Sequence, residues 1–156
     1  VESVTLDLME MFDIDEKDII AVSAKSGKNV DTLLQTVVEK IPAPSADNDA
    51  PLRALVFTSL YDQHKGVIAY VRVVDGQLKR DQLTMFASGR SYQPLEVGVF
   101  TPEMRPVDVL LAGEVGYIAT GLKDVAGVGV GDTVTLKHTI DRISPLPGYQ
   151  EPKPMV

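Results

Sequence analysis

Hydrophobic positions in the first forty residues recur at helical spacing. Val4, Leu8, Met11 and Phe12 fall on one stripe, and Val30, Leu33, Leu34, Val37, Val38 and Ile41 repeat at i, i+3, i+4, i+7, i+8 and i+11. This spacing predicts two amphipathic helices, the second with Asn29 as its N-cap and Asp31 in its first turn, facing the positive end of the helix dipole. Between them Ile19-Ile20-Ala21-Val22 is a short continuous apolar run, as expected of a parallel strand covered on both faces. One strand and two helices have no core of their own. Residues 1–41 therefore predict the tail of an α/β domain whose remaining strands lie upstream of residue 1.

Residues 42–51 contain three prolines, which stop the preceding helix and fix an extended path, so they predict a linker. The period then changes to two. In 52–59 one face carries Leu52, Ala54 and Val56 and the other Leu55 and Phe57; in 66–74 Val67, Ala69, Val71 and Val73 alternate with Ile68, Tyr70, Arg72 and Val74. Asp75-Gly76 predicts a hairpin turn, and further strands are expected at 83–86, 95–100, 115–120 and 133–136. Six short strands with no helix between them predict a mostly β unit, a closed antiparallel barrel over residues 52–137. The proline-rich stretch 138–156 reads as a second linker leading into a further domain. The chain opens on Val1 and closes on Pro154-Met155-Val156, so a piece of a longer protein is expected.

Composition narrows the chemistry. The chain has 156 residues, 44% hydrophobic and 24% charged, the balance of a folded protein. It contains no Cys and only His64 and His138, so thiol chemistry is excluded and a His-based zinc site lacks ligands. No apolar run is long enough to span a membrane and no signal peptide opens the chain. The formal net charge is −7, and all of that excess lies in residues 1–50, which hold 11 acidic against 4 basic side chains. Residues 51–156 are neutral. Contact with nucleic acid would then need a local basic patch rather than bulk attraction. Lys79, Arg80, Arg90 and Arg105 are candidates for such a face, and scattered solvated charges are the alternative.

One loop points to a specific chemistry. Ser23-Ala24-Lys25-Ser26-Gly27-Lys28-Asn29-Val30 follows the apolar run and precedes a helix containing Leu33-Leu34. The carboxyl end of a strand is where open α/β sheets bind ligands. A backbone N–H there can donate to guanine O6, whereas adenine presents an N6 donor at the same place. An ordinary strand-to-helix connection is the competing reading of Ser23, Ala24 and Lys25.

The loop resembles the last guanine-specificity loop of the GTPase superfamily, and the rest of the chain extends the likeness. Ile41-Pro42-Ala43-Pro44, Val71-Arg72-Val73-Val74-Asp75-Gly76, Gly98-Val99-Phe100-Thr101-Pro102, Ala112-Gly113-Glu114, Val130-Gly131-Asp132-Thr133, Leu146-Pro147-Gly148-Tyr149 and Lys153-Pro154-Met155-Val156 resemble the LepA-type translational GTPases, the elongation factor 4 family. That resemblance implies the end of a GTPase domain (1–41), a linker (42–51), the second, translation-factor-type β-barrel domain (52–137) and the start of a third domain (138–156). It implies GTP and magnesium as ligands of the full-length protein, held by motifs upstream of residue 1, with no catalytic or metal-binding residue and no cofactor in this segment. It implies a monomer with the ribosome and small-subunit rRNA as partners in the cytoplasm. It also admits tRNA as a partner and a peripheral position at the inner face of the cell membrane. The same segment of elongation factor G or a release-factor homologue, or a β-barrel adaptor that binds protein, would share parts of the pattern.

One departure from the family pattern falls at Leu78-Lys79-Arg80-Asp81-Gln82-Leu83, one residue shorter and without the usual turn glycine, where a hairpin tip is expected. Other motifs are weaker. Asp124-Val125-Ala126-Gly127 has the Asp-x-x-Gly spacing of a phosphate and magnesium contact, but no Gly-x4-Gly-Lys-Ser/Thr loop occurs, so it reads as a turn. The glycines of 127–131 miss the dinucleotide-binding spacing. Neither histidine has a nucleophile partner visible in the sequence.

Overall fold

The computed structural model describes residues 2–124 and 127–149. The chain forms two compact units, residues 1–43 and 44–156.

The first unit holds α1 (Glu2–Phe12), a 3-10 turn (Glu16–Asp18) and α2 (Val30–Lys40), with Lys40 Nζ bonded to Asp18 Oδ1 at 2.6 Å. Both predicted helices form, but neither buries a residue. The half-buried positions of α1 are Thr5, Leu8 and Met9, so only Leu8 of the expected stripe turns inward. On α2, Leu34 and Val38 remain 58% and 81% exposed. The strand expected at 19–22 is absent. A parallel strand needs a neighbour to take its N–H and C=O groups, and the residues around this run supply only an isolated antiparallel bridge between Ser23 and Lys28. Among the described residues no helix is long and apolar enough to cross a membrane.

Among its described residues the second unit has ten strands: β1 (Arg53–Asp62), β2 (Gly66–Asp75), β3 (Gln77–Leu78), β4 (Leu83–Met85), β5 (Ser91–Tyr92), β6 (Glu96–Phe100), β7 (Met104–Pro106), β8 (Leu110–Leu111), β9 (Val115–Ala119) and β10 (Thr133–Leu136). The six expected strands are β1, β2, β4, β6, β9 and β10; the other four are too short for periodicity to reveal. Eight strands make one antiparallel sheet in the order β5-β4-β10-β1-β2-β9-β6-β7, and β3 pairs with β8 in a second. The described ladders leave β5 and β7 as edges and do not close the large sheet on itself.

The alternation works as expected on one face. Leu52, Ala54, Val56, Val67, Ala69, Val71 and Val73 pack with Leu83, Met85, Val97, Leu110, Ile118 and Val134 in a single core. Each buried Val or Leu contributes roughly 1.5–3 kcal/mol relative to an exposed one. The opposite face is partly covered too, because Ile68 and Tyr117 are completely buried. Val56 pairs with Val71 and Thr58 with Tyr70, so Phe57 is the extra residue of a β-bulge, displaced from the strict alternation. Phe57, Tyr70, Phe100 and Tyr117 then form a chain of ring contacts at 6.2, 4.6 and 5.3 Å between centroids. The Tyr117 ring lies over Gly98, where a Cβ would meet the Tyr117 ring and hydroxyl and the Arg105 carbonyl.

Two expected hairpins are corrected. Asp75-Gly76 does not join paired strands; it turns the chain from the large sheet into β3, and the hairpin of β1 and β2 lies at Asp62–Gly66 instead. Lys79 and Arg80 are not at a hairpin tip, because β3 pairs with β8 while β4 pairs with β10 and β5. The stretch read as a linker is partly built into this unit. Gly76 N–H donates to Asp47 O at 2.7 Å, Ala112 N–H to Asn48 Oδ1 at 2.9 Å, and Pro44 packs 3.2 Å from where a Gly113 Cβ would stand. At the other end, Leu146 N–H donates to Thr133 Oγ1 at 2.8 Å.

Burial orders the two units by local stability. In native-state hydrogen exchange the amides of Val30–Lys40 should exchange well before those of Gly66–Asp75; equal protection would mean that α2 is stabilised by something other than burial. Replacing Gly98 by Ala should destabilise the second unit by about 1–3 kcal/mol, the usual cost of overpacking a tight site, read as a lowered denaturant midpoint.

Candidate functional site

The loop between the apolar run and α2 is closed by hydrogen bonds. Ser23 N–H donates to Lys28 O at 3.1 Å, Gly27 N–H to Ser23 O at 2.9 Å and Ser26 N–H to Ser23 Oγ at 3.4 Å. Gly27 (φ +75°) and Asn29 (φ +59°) are both left-handed, which reverses the chain twice within three residues. Asn29 is not the side-chain cap expected of it: its left-handed backbone leaves the α2 amides without a side-chain acceptor, while its carbonyl accepts from Leu33 N–H at 3.0 Å. Its side chain turns back, and Nδ2 donates to Ala21 O at 2.8 Å. Ala24 and Lys25 are exposed, and their N–H groups make no hydrogen bond among the described residues. The loop thus presents two free backbone donors on a closed frame.

The four candidate cations are not one cluster. Lys79 and Arg80 are exposed in the connection before β4, and Arg80 O accepts from Gln93 Nε2. Arg90 lies beyond the other end of β4, 3.8 Å from Asp124 Oδ2, with its guanidinium over Gly127. Arg105 is in β7, an edge of the large sheet. Lys79, Arg80 and Arg105 form no ion pair among the described residues.

Several motifs find structural uses. Asp132 of Val-Gly-Asp-Thr is 2% exposed, and its Oδ1 accepts from Ala87 N–H at 2.9 Å and Thr133 N–H at 2.7 Å, anchoring the loop after β4. Burial raises its carboxyl above the usual range against the pull of those amides. Val125 and Ala126 of the Asp-x-x-Gly pattern, and Lys153-Pro154-Met155-Val156, lie outside the described residues. His64 and His138 are exposed, and the described residues contain no cluster of three or more His, Cys, Asp or Glu able to hold a metal.

One polar cluster had no signal in the sequence. Glu96 Oε1 accepts from Lys65 Nζ at 2.8 Å and from the Tyr117 hydroxyl at 2.5 Å, joining the β1–β2 turn, β6 and β9. Its members lie 31 and 21 positions from Glu96, so only the paired sheet brings them together. The Lys65 hydrogen bond, then that of Tyr117, holds Glu96 below the usual carboxylate range, and the charges of Lys65 and Arg80 add to this. Burial, then the Glu96 contact, pushes the Tyr117 phenol up.

Comparison with known proteins decides the family. The chain is 47% identical over 156 residues to elongation factor 4 of Streptomyces avermitilis, covering 99% of this chain and 25% of the relative. It is 51% identical over 143 residues to elongation factor 4 of Cutibacterium acnes, covering 91% of the chain and 23% of the relative. The Thermotoga maritima protein of the same name is 46% identical across 100% of the chain and 25% of its own length. The chain corresponds to a segment of the LepA-type, elongation factor 4 family. It spans about a quarter of the length of these elongation factor 4 relatives. Within it, residues 66–135 match the family model "Elongation factor Tu domain 2", from the start of β2 into β10. The fold is that of translation factors. A selenocysteine-specific elongation factor from bacteria superposes with a TM-score of 0.63 at 19% identity, over 86% of this chain and 22% of that one. The SelB factor of Methanococcus maripaludis gives 0.69 at 19% identity, over 88% of this chain and 30% of that one.

The Glu96 cluster sets a pH dependence for the second unit. A carboxylate whose folded pKa is depressed adds stability above its unfolded pKa and loses it as pH falls through the folded value. From about pH 5 downward the ordinary carboxyl binds protons in the unfolded chain, and stability should decline. Glu96→Gln should make the decline shallower than in the parent, measured by denaturant titration from neutral to acidic pH; an identical slope would mean that Glu96 is not depressed.

Proposed function

We propose that this chain links the guanine-reading end of a GTPase domain to the second domain of a ribosome-bound elongation factor. In this reading residues 1–41 complete the nucleotide-binding domain, 42–51 connect it to the β domain of 52–137, and 138–156 lead into a third domain. The observation that carries it is the identity of 46–51% to elongation factor 4 over nearly the whole chain. The free amides of Ala24 and Lys25 support the loop's part: an N–H at that place donates to guanine O6 and finds only another donor at adenine N6. Lys25, exposed, is free to lie along the base.

The residues present fit the base of GTP and no more of it. Phosphate binding calls for a run of backbone amides and a lysine in a glycine-rich loop, and Gly-x4-Gly-Lys-Ser/Thr is absent from the sequence. In the whole protein, GTP hydrolysis with magnesium would thus depend on residues outside this segment. The segment alone should give no calorimetric signal with micromolar GTP and should release no phosphate. Measurable binding would mean that 1–41 is not a partial nucleotide site.

We assign the ribosome, through small-subunit rRNA, as the partner of the β domain, with tRNA near it and the cytoplasm as the place of action. A peripheral position at the inner face of the membrane is the alternative that the resemblance admits. With no net charge in residues 51–156, attraction to RNA rests on a few local cations. Lys79 and Arg80 are the best placed, exposed and side by side with no ion-pair partner among the described residues, and Arg105 is a separate third. Arg90, facing Asp124, is better suited to holding its own loop than to gripping phosphate. In the full-length protein, Lys79→Glu with Arg80→Glu should weaken co-sedimentation with small subunits. It should also lower the salt slope by roughly 0.7–0.9 per lost phosphate contact, with GTP affinity unchanged. Unaltered pelleting across a salt series would remove these two residues from the docking face.

A further inference from the structure

The Ser23–Lys28 loop has to keep its free amides in place although none of the described residues of the first unit is buried. Its frame has two rungs. The first is the backbone bond from Ser23 N–H to Lys28 O at 3.1 Å. The second would require a backbone N–H opposite the Ala21 carbonyl, but the Val30 N–H next in register donates to Gly27 O at 3.3 Å instead. The Asn29 side chain fills that place, with Nδ2 donating to Ala21 O at 2.8 Å.

We infer that Asn29 is a positioning residue for guanine recognition, its amide standing in for a strand partner and fixing where the Ala24 and Lys25 N–H groups point. The inference rests on the proposed guanine contact of this loop. Two properties are needed at once: tolerance of φ +59° and a side-chain donor of short reach. Gly meets the first only. Asp also tolerates that backbone but sets a carboxylate oxygen against the Ala21 carbonyl. Asn meets both. The tie bridges eight residues and encloses the whole Ser-Ala-Lys segment, so losing it should loosen the direction of the free donors without touching the base.

The test compares GDP with 6-thio-GDP, which keeps the N1 and 2-amino donors of guanine and replaces only O6 by a weaker acceptor. In the full-length protein with magnesium, binding of both nucleotides is titrated for the parent, Asn29→Gly and Asn29→Asp. The parent should favour GDP by about three- to tenfold, the worth of one neutral hydrogen bond. Both variants should bring that ratio towards one, leaving 6-thio-GDP affinity and the thermal midpoint near the parent's. A purely structural role would weaken both nucleotides together, and that result would overturn the inference. An unchanged preference in both variants would overturn it while the guanine contact stood. A parent with no preference would remove the guanine contact and the inference with it. If Asn29→Gly does not fold, judged by far-ultraviolet circular dichroism, Asn29→Asp alone gives the decision.

Discussion

Buried backbone must be hydrogen-bonded, and β2 is where that demand is greatest. Gly66–Ala69, Val71 and Val73 are buried, so their N–H and C=O groups need partners on both sides of the strand. β1 supplies one side from Asp62 to Arg53 and β9 the other from Ala119 to Val115. Beyond the regular ladder the same demand organises the neighbouring loops. Val67 N–H reaches Leu122 O at 2.8 Å, Val73 N–H reaches Glu114 O at 2.9 Å, and Gly113 N–H returns to Val73 O at 2.8 Å. The order of the large sheet follows outward from this strand: β10 and β4 beyond β1, β6 and β7 beyond β9. The aromatic chain on one face and the aliphatic core on the other are consequences of the same pleat.

The two units solve the problem of order differently. In the second, packing holds the shape, and polar groups such as Asp132 and Glu96 lock loops and strand ends onto it. In the first, helices without a buried residue leave hydrogen bonds as the local restraint, and the proposed guanine contact lies there. A recognition loop whose donors are backbone amides does not need reactive side chains. It needs its main chain held still, which is why Ser23, Gly27 and Asn29 matter more to its shape than the exposed Ala24 and Lys25.

The strands of 52–59, 66–74, 95–100 and 115–120 are legible in the sequence because each carries several turns of the two-residue period, and Val67, Ala69, Val71 and Val73 are buried where alternation places them. β3, β5 and β8 have two residues each, too few for any period to register. Pairing across long separations is equally invisible, so Asp75-Gly76 looks like a hairpin turn when its strands belong to different sheets. The apolar run at 19–22 has the composition of a strand but no neighbour in this chain to make it one. For the loop, residue types and position point to guanine, whereas the left-handed backbone of Asn29 and the direction of its side chain do not follow from any spacing. Likewise nothing along the chain links Lys65, Glu96 and Tyr117.

The separation of β3 from β4 bears on how this family tolerates changes in length. In a true hairpin, removing one residue shifts the register of both strands and turns every side chain to the opposite face. Between Leu78 and Leu83 the flanking strands answer to different partners, β8 on one side and β10 on the other, so a shorter connection transmits no slip to either ladder. Nor does the turn glycine matter: Lys79, Arg80, Asp81 and Gln82 all keep negative φ, and the positive values nearby belong to Gly76 and Gly89. The shorter connection expected from the sequence therefore falls where the sheet can absorb it. The loop after β4, pinned through Ala87 to a buried carboxylate, has no such freedom, and its length should vary far less among relatives than that of the connection before β4.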